Sequence, residues 1–300
     1  MRKLLLTVPL LLAMAVPADA GKRPDQYVIP GDRVFPEGIA RDGKAFFVGS
    51  TTDGTLFRGD TREREMEVLS PGGTGGRTTA IGIEALKDGR LLVAGGATGK
   101  LFVVDARTGE ALGSAQAPPG ATGQFFLNDI AVDGGFAYVT DSPNHRVLRW
   151  PLRGGALEVL ADLPDRRPGF NANGVERTGK GELVVVQSNT GALHRVTTRG
   201  DVRRVDTGGT TFPNGDGLAL AGRTLYVLRN AAELVVPVRL SKDALRGTAG
   251  RGLTDPSFKY PTTLAVEGKR LLLVNSQFDR RSAQQPPELP FDVVAVDRPR

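Results

Sequence analysis

Cysteine is absent from this 300-residue chain. That removes disulfides, zinc–thiolate centres, iron–sulfur clusters and a thiol nucleophile. Only two histidines are present, His145 and His194. A redox-metal centre built on several imidazoles is therefore excluded, and a Ser-His-Asp hydrolase would have to use one of these two. Aromatic residues make up 6% of the chain, too few for the stacking platforms of a nucleic-acid binder. The net charge of +6 is spread over scattered residues, with pairs such as Arg166-Arg167, Arg203-Arg204 and Arg280-Arg281 the densest clusters. That distribution suits a solvated basic surface. Beyond residue 20 no run approaches the ~18 apolar residues of a membrane span.

The first twenty residues stand apart. Arg2 and Lys3 precede an apolar run from Leu4 to Val16, interrupted only by Thr7 and Pro9, and Ala18-Asp19-Ala20 is a small-x-small cleavage site. This is the pattern of a secretory signal peptide. The expected mature protein starts at Gly21, lies outside the cytoplasm, and forms one monomeric domain over residues 21–300.

What is abundant is glycine, 39 residues, with 20 prolines beside it. Both punctuate chains of many short strands. A repeat organises them. Its copies begin Glu37-Gly38-Ile39, Ile81-Gly82-Ile83, Asn128-Asp129-Ile130, Asn173-Gly174-Val175, Asp216-Gly217-Leu218 and Thr262-Thr263-Leu264, at spacings of 44, 47, 45, 43 and 46. Each copy holds four strand-sized pieces separated by turn signals. The second pieces match best, among them Phe46-Phe47-Val48, Leu91-Leu92-Val93, Leu183-Val184-Val185 and Leu271-Leu272-Leu273. Continuous apolar runs of this length suit strands covered on both faces. Four short strands per ~45 residues is a propeller blade. The predicted fold is all-β, a six-bladed β-propeller. The sixth copy lacks a fourth strand, and Tyr27–Ile29 is expected to supply it, which closes the ring and removes a free edge.

In such a ring the residue before each first strand lies at one mouth of the central channel. Those residues are Glu37, Ile81, Asn128, Asn173, Asp216 and Thr262. Two carboxylates and two amides converging on an axis suit a hard cation, calcium ahead of magnesium, and zinc is disfavoured without His or Cys. Without a cation, Glu37 and Asp216 would repel and one would stay protonated. Asn, Asp and Gly are also ordinary turn residues, but Glu37 is not of that kind. His145 follows the third copy's second strand, either facing the same mouth as a proton shuttle or lying exposed in a turn. His194 and Trp150 read as structural.

Pro36-Glu37-Gly38, Asn128-Asp129 with Tyr138 and Thr140-Asp141, Asn173-Gly174 and Asp216-Gly217, in this order, resemble the SMP-30/gluconolactonase/LRE-like family over nearly all of the mature chain. The resemblance implies a divalent cation, usually calcium, held by Glu37, Asn173 and Asp216. Asn128 would sit beside it, binding metal or substrate. It also implies hydrolysis of a lactone or related ester. Sugar-lactone members carry an arginine two residues before the third-blade asparagine, and here that residue is Phe126. Phe125-Phe126-Leu127 makes the approach apolar, so an apolar lactone or ester is the expected small-molecule substrate. Asp216 is the expected base, with Phe126, Asn128 and His145 toward the substrate. The competing expectation is a non-catalytic secreted propeller that binds a ligand or cell-surface partner and uses the cation as a structural pin.

Overall fold

The computed structural model describes residues 23–299, except Pro168 and Lys180. The signal-peptide reading lies outside these residues. Six antiparallel four-stranded sheets follow one another around a ring. The first blade is Pro36–Asp42, Ala45–Ser50, Leu56–Asp60 and Glu67–Ser70. The sixth is Pro261–Glu267, Arg270–Asn275, Phe291–Asp297 and, from the other end of the chain, Gln26–Ile29. Gln26–Ile29 pairs with Phe291–Asp297 in register Gln26↔Val294 to Ile29↔Phe291, so the predicted closure is present. Among the described residues no helix is long and apolar enough to cross a membrane.

The apolar second strands have a simple packing cause. Alternate residues of a strand point to opposite faces, and in a propeller each face meets a neighbouring blade. Leu91 and Val93 enter the core shared by blades one and two. Leu92 and Ala94 enter the core shared by blades two and three. Leu271 and Leu273 face blade five, while Leu272 and Val274 face blade one. Each boundary between neighbouring blades has its own apolar cluster of this kind.

A repeated irregularity at the inner strands builds the functional end of the channel. In the first blade Pro36 pairs with Ser50 and Ile39 with Val48, so Glu37-Gly38 oppose the single residue Gly49. The same bulge recurs at Asn128-Asp129, Asn173-Gly174, Asp216-Gly217 and Thr262-Thr263. A bulge re-aims a side chain out of the pleat, and here it turns Glu37, Asn128, Asn173 and Asp216 toward one cavity at the channel mouth. The second residue is often glycine because the next blade presses on it. A Cβ on Gly174 would lie 2.1 Å from the Asp216 carbonyl oxygen, and one on Gly38 2.1 Å from that of Ile81. Gly174→Ala must therefore push neighbouring inner strands apart. We expect it to cost about 1–3 kcal/mol, as overpacking does, measured as a lower urea midpoint with unchanged slope.

His194 lies inside the fourth blade on Ala192–Val196, with 0% exposure and neither ring nitrogen bonded. Burial, with a smaller push from Arg204, lowers its pKa to about 4. The imidazole is neutral in the fold, while the unfolded chain takes up a proton below about 6.5. Its stabilising contribution is complete above that pH and is lost as pH falls toward 4. The shift corresponds to roughly 3 kcal/mol. His194→Leu should flatten the fall in urea midpoint between pH 7 and pH 4.5, and an unchanged slope would refute this origin.

Candidate functional site

Glu37, Asn128, Asn173 and Asp216 are buried and line one cavity of about 770 Å3 at the channel mouth. The four residues come from four different blades and line the same cavity. Ile81 lines the same cavity. Thr262 instead donates to the Glu37 carbonyl at 3.2 Å and meets the Ser276 hydroxyl.

Two buried oxygens of the set, Glu37 Oε2 and Asn128 Oδ1, lack any protein partner. A buried orphan of this kind costs free energy unless a ligand or water meets it. The amides are aimed by serines. Asn128 Nδ2 donates to Ser142 Oγ at 3.1 Å, and Ser142 donates on to the Ala172 carbonyl at 2.6 Å. One blade later, Asn173 Nδ2 donates to Ser188 Oγ at 2.9 Å, and Ser188 to the Gly215 carbonyl at 2.5 Å. Engaging both amide nitrogens leaves the amide oxygens as the acceptors available to a ligand. In the fifth blade Asn230 Nδ2 donates to Asp216 Oδ2 at 2.7 Å.

The electrostatics are those of buried carboxyls crowded together. Burial raises Glu37 well above the ordinary range, and the charges of Asp216 and Asp129 raise it further. Burial pushes Asp216 up to about 7 against hydrogen bonds from Asn230 and Asn173. Among the described residues no group of three or more His, Asp or Glu side chains is arranged to hold a metal. A cation at this mouth would therefore rely on amide oxygens beside the two carboxylates, a donor set suited to calcium.

Asp129, the partner of Asn128 in its bulge, points the other way. With Glu84 and Glu176 it lines a separate cavity of about 420 Å3 further along the channel. Asp129 accepts from the Val175 and Ile130 backbone amides, each at 2.9 Å. Burial raises all three carboxyls, Asp129 to about 6, Glu176 to about 7 and Glu84 to about 8.

Phe126 lines the mouth as expected, and Phe170 meets it edge-to-face at 4.8 Å. His145 does not line the donor cavity. It stands beside Phe126 in an adjoining pocket. It is only 7% exposed, so the exposed-turn reading is corrected. The cause is Asn171, whose amide bonds the His145 ring, and Leu163, whose N–H donates to the His145 carbonyl at 2.7 Å. Several lining residues escaped the sequence reading: Ser188, Asn230, Tyr260, Phe170, and Phe278 with Arg281 on the short helix Phe278–Ser282. Arg281 Nη1 donates to Thr51 Oγ1 at 2.8 Å, and its guanidinium lies over Phe35. Some of this was legible. Ser142, Ser188, Asn230 and Ser276 each follow their blade's anchor by 14 or 15 residues.

No protein-family model and no curated protein sequence matches the chain. Solved structures do. Mala s 1, the major allergen of Malassezia sympodialis, is 14% identical with a TM-score of 0.72, over 91% of this chain and 96% of that one. Virginiamycin B lyase from Staphylococcus aureus is 13% identical with a TM-score of 0.63, over 83% and 80%. The aldose sugar dehydrogenase of Streptomyces coelicolor, solved with PQQ bound, is 15% identical with a TM-score of 0.66, over 92% and 99%. These neighbours are six-bladed β-propellers. At such identities the likeness is one of fold, and a fold hosts many chemistries.

Proposed function

We propose that this propeller is an exported, divalent-cation-dependent hydrolase of the SMP-30/gluconolactonase/LRE-like kind, acting on apolar lactones or esters. The observation that carries the reading is the pair of buried, partnerless oxygens, Glu37 Oε2 and Asn128 Oδ1, on the wall of the mouth cavity. Glu37, Asn128, Asn173 and Asp216 are the residues that would hold the cation, with calcium the best fit to their oxygens. When bound, the cation supplies Lewis-acid polarisation of the carbonyl and charge for the developing oxyanion.

The protein's own groups account for the rest. Ser142 and Ser188 keep the amide oxygens of Asn128 and Asn173 turned inward. Asn230 holds one oxygen of Asp216. Asp216, which lines the same cavity, is the carboxylate that takes the proton of the attacking water, through an oxygen not committed to the cation. Phe126 and Phe170 give the cavity one apolar wall.

The test is metal content of the purified protein followed by hydrolysis of a panel of lactones and aryl esters. Roughly stoichiometric calcium and turnover abolished by EDTA or by Glu37→Gln support the proposal. Calcium-dependent stabilisation with no turnover across the panel overturns the hydrolase and favours a ligand-binding propeller.

A further inference from the structure

On the far side of the Phe126 and Phe170 rings from the mouth lies a second cavity of about 690 Å3, walled by Ala97, Phe125, Phe126, Pro143, His145 and Phe170, with Thr122 and Gln124 adding polar side chains. Phe126 and Phe170 line both spaces, so the two are adjoining compartments. Phe170 is 54% exposed, so it carries the wall shared by the two cavities out to the surface. The volume falls within the ~300–1,000 Å3 of small-molecule clefts.

The wall of this annex is rigidly built. Asp141 and Arg146 form a buried ion pair, with Nε and Nη2 of the arginine both 2.9 Å from Asp141 Oδ2. From this pair the segment carrying Phe125 and Phe126 is suspended. Arg146 donates to the Pro118 and Pro119 carbonyls at 2.7 and 3.2 Å, and Asp141 Oδ1 accepts the Phe126 N–H at 3.2 Å. Asn144 fastens the middle, accepting from Thr122 N at 3.1 Å and donating to the Gln124 carbonyl at 2.7 Å. Across the annex, Asn171 beside Phe170 is tied to the His145 ring. The same turn of the third blade thus positions both aromatic walls.

We propose that this annex is a tail subsite: it holds the alkyl or aryl substituent of a substrate whose carbonyl sits at the oxygen donors of the mouth. This rests on the hydrolase reading for the identity of the head group, but not for the existence of the tail site. A substrate fitting both compartments is amphiphilic, with a compact polar ring or ester at one end and an unbranched chain or aryl ring at the other. Substituents too short to pass Phe126 gain nothing from the annex.

The test uses 2-alkylcyclopentanones, carbocyclic stand-ins for lactones that cannot be hydrolysed, titrated calorimetrically into the calcium-loaded full-length protein. Across the methyl to heptyl series Kd should change little until the chain is long enough to pass Phe126, and then fall by about two- to fourfold per further methylene, as expected for burial of a CH2 group. Ala97→Trp, at an exposed position on the annex wall, should flatten that dependence. Phe170→Ala, also on the surface, should weaken the long-chain compounds by more than the short ones. A flat series in the wild type, an undiminished slope in Ala97→Trp, or no binding by any analogue overturns the tail subsite. If the slope holds and is lost in Ala97→Trp while no lactone or ester is turned over, the annex stands and the hydrolase reading falls. Turnover of short lactones with a flat series does the reverse.

Discussion

In Glu37→Gln the rise in melting temperature on adding calcium should vanish, while the EDTA-treated variant should melt above EDTA-treated wild type. Both follow from one cause. Glu37 is buried beside Asp216 and above Asp129, so its ionised form is opposed by desolvation and by two like charges. Removing its charge relieves the empty protein and disables the filled one. At free calcium a hundred times Kd, ligand linkage stabilises the native state by about 2.7 kcal/mol, which for a domain of this size is about 5–10 °C. The pH dependence has a definite sign. Carboxyls whose pKa is raised in the fold bind more protons folded than unfolded, so the empty protein loses stability as pH rises through about 7, where Asp216 ionises. Calcium must displace those protons, so its stabilisation should be larger at pH 8 than at pH 5.5. A calcium shift retained in Glu37→Gln, or one equal at both pH values in the wild type, would remove the cation from this mouth.

The repeat made the architecture readable because its period is a rotation. Once Glu37, Asn128, Asn173 and Asp216 occupy equivalent positions in successive copies, their convergence follows without any contact being known. The apolar triplets of the second strands were equally direct, since a strand with a blade on each face has no solvent side to mark with polar residues. The bulges were not visible as such, yet the dipeptides that form them were the markers by which the repeat was found. What stayed hidden depends on segments that differ from blade to blade. Phe170 and Arg281 sit on insertions with no counterpart in the period, and His145 looked like a turn residue because nothing local shows that Asn171 covers it. The serine ring was hidden differently. Ser142 and Ser188 lie at a constant distance after their anchors, but their meaning depends on which way an amide is turned, and that is a property of the folded pair.

Thr140-Asp141, a marker of the family resemblance, has a physical role here that leads to the second large effect. Asp141→Ala should destabilise the protein by about 3–5 kcal/mol, because it leaves the buried Arg146 guanidinium without its counter-charge. In thermal unfolding this is roughly 10 °C or more. The double variant Asp141→Leu/Arg146→Met should recover most of that loss, since no unpaired charge remains, and the coupling energy in the double-mutant cycle should be large and favourable. Recovery will be incomplete, as the Phe126 N–H and the Pro118 and Pro119 carbonyls lose their partners, but these groups are half-buried or exposed, so water replaces much of what is lost. The residual defect should be local. With the Phe125–Phe126 segment released, the double variant should keep the calcium-induced rise in melting temperature at the mouth but lose the chain-length dependence of cyclopentanone binding. Additive single-variant effects would mean that the pair is not coupled, and an intact chain-length series in the double variant would mean that the ion pair does not position the annex wall.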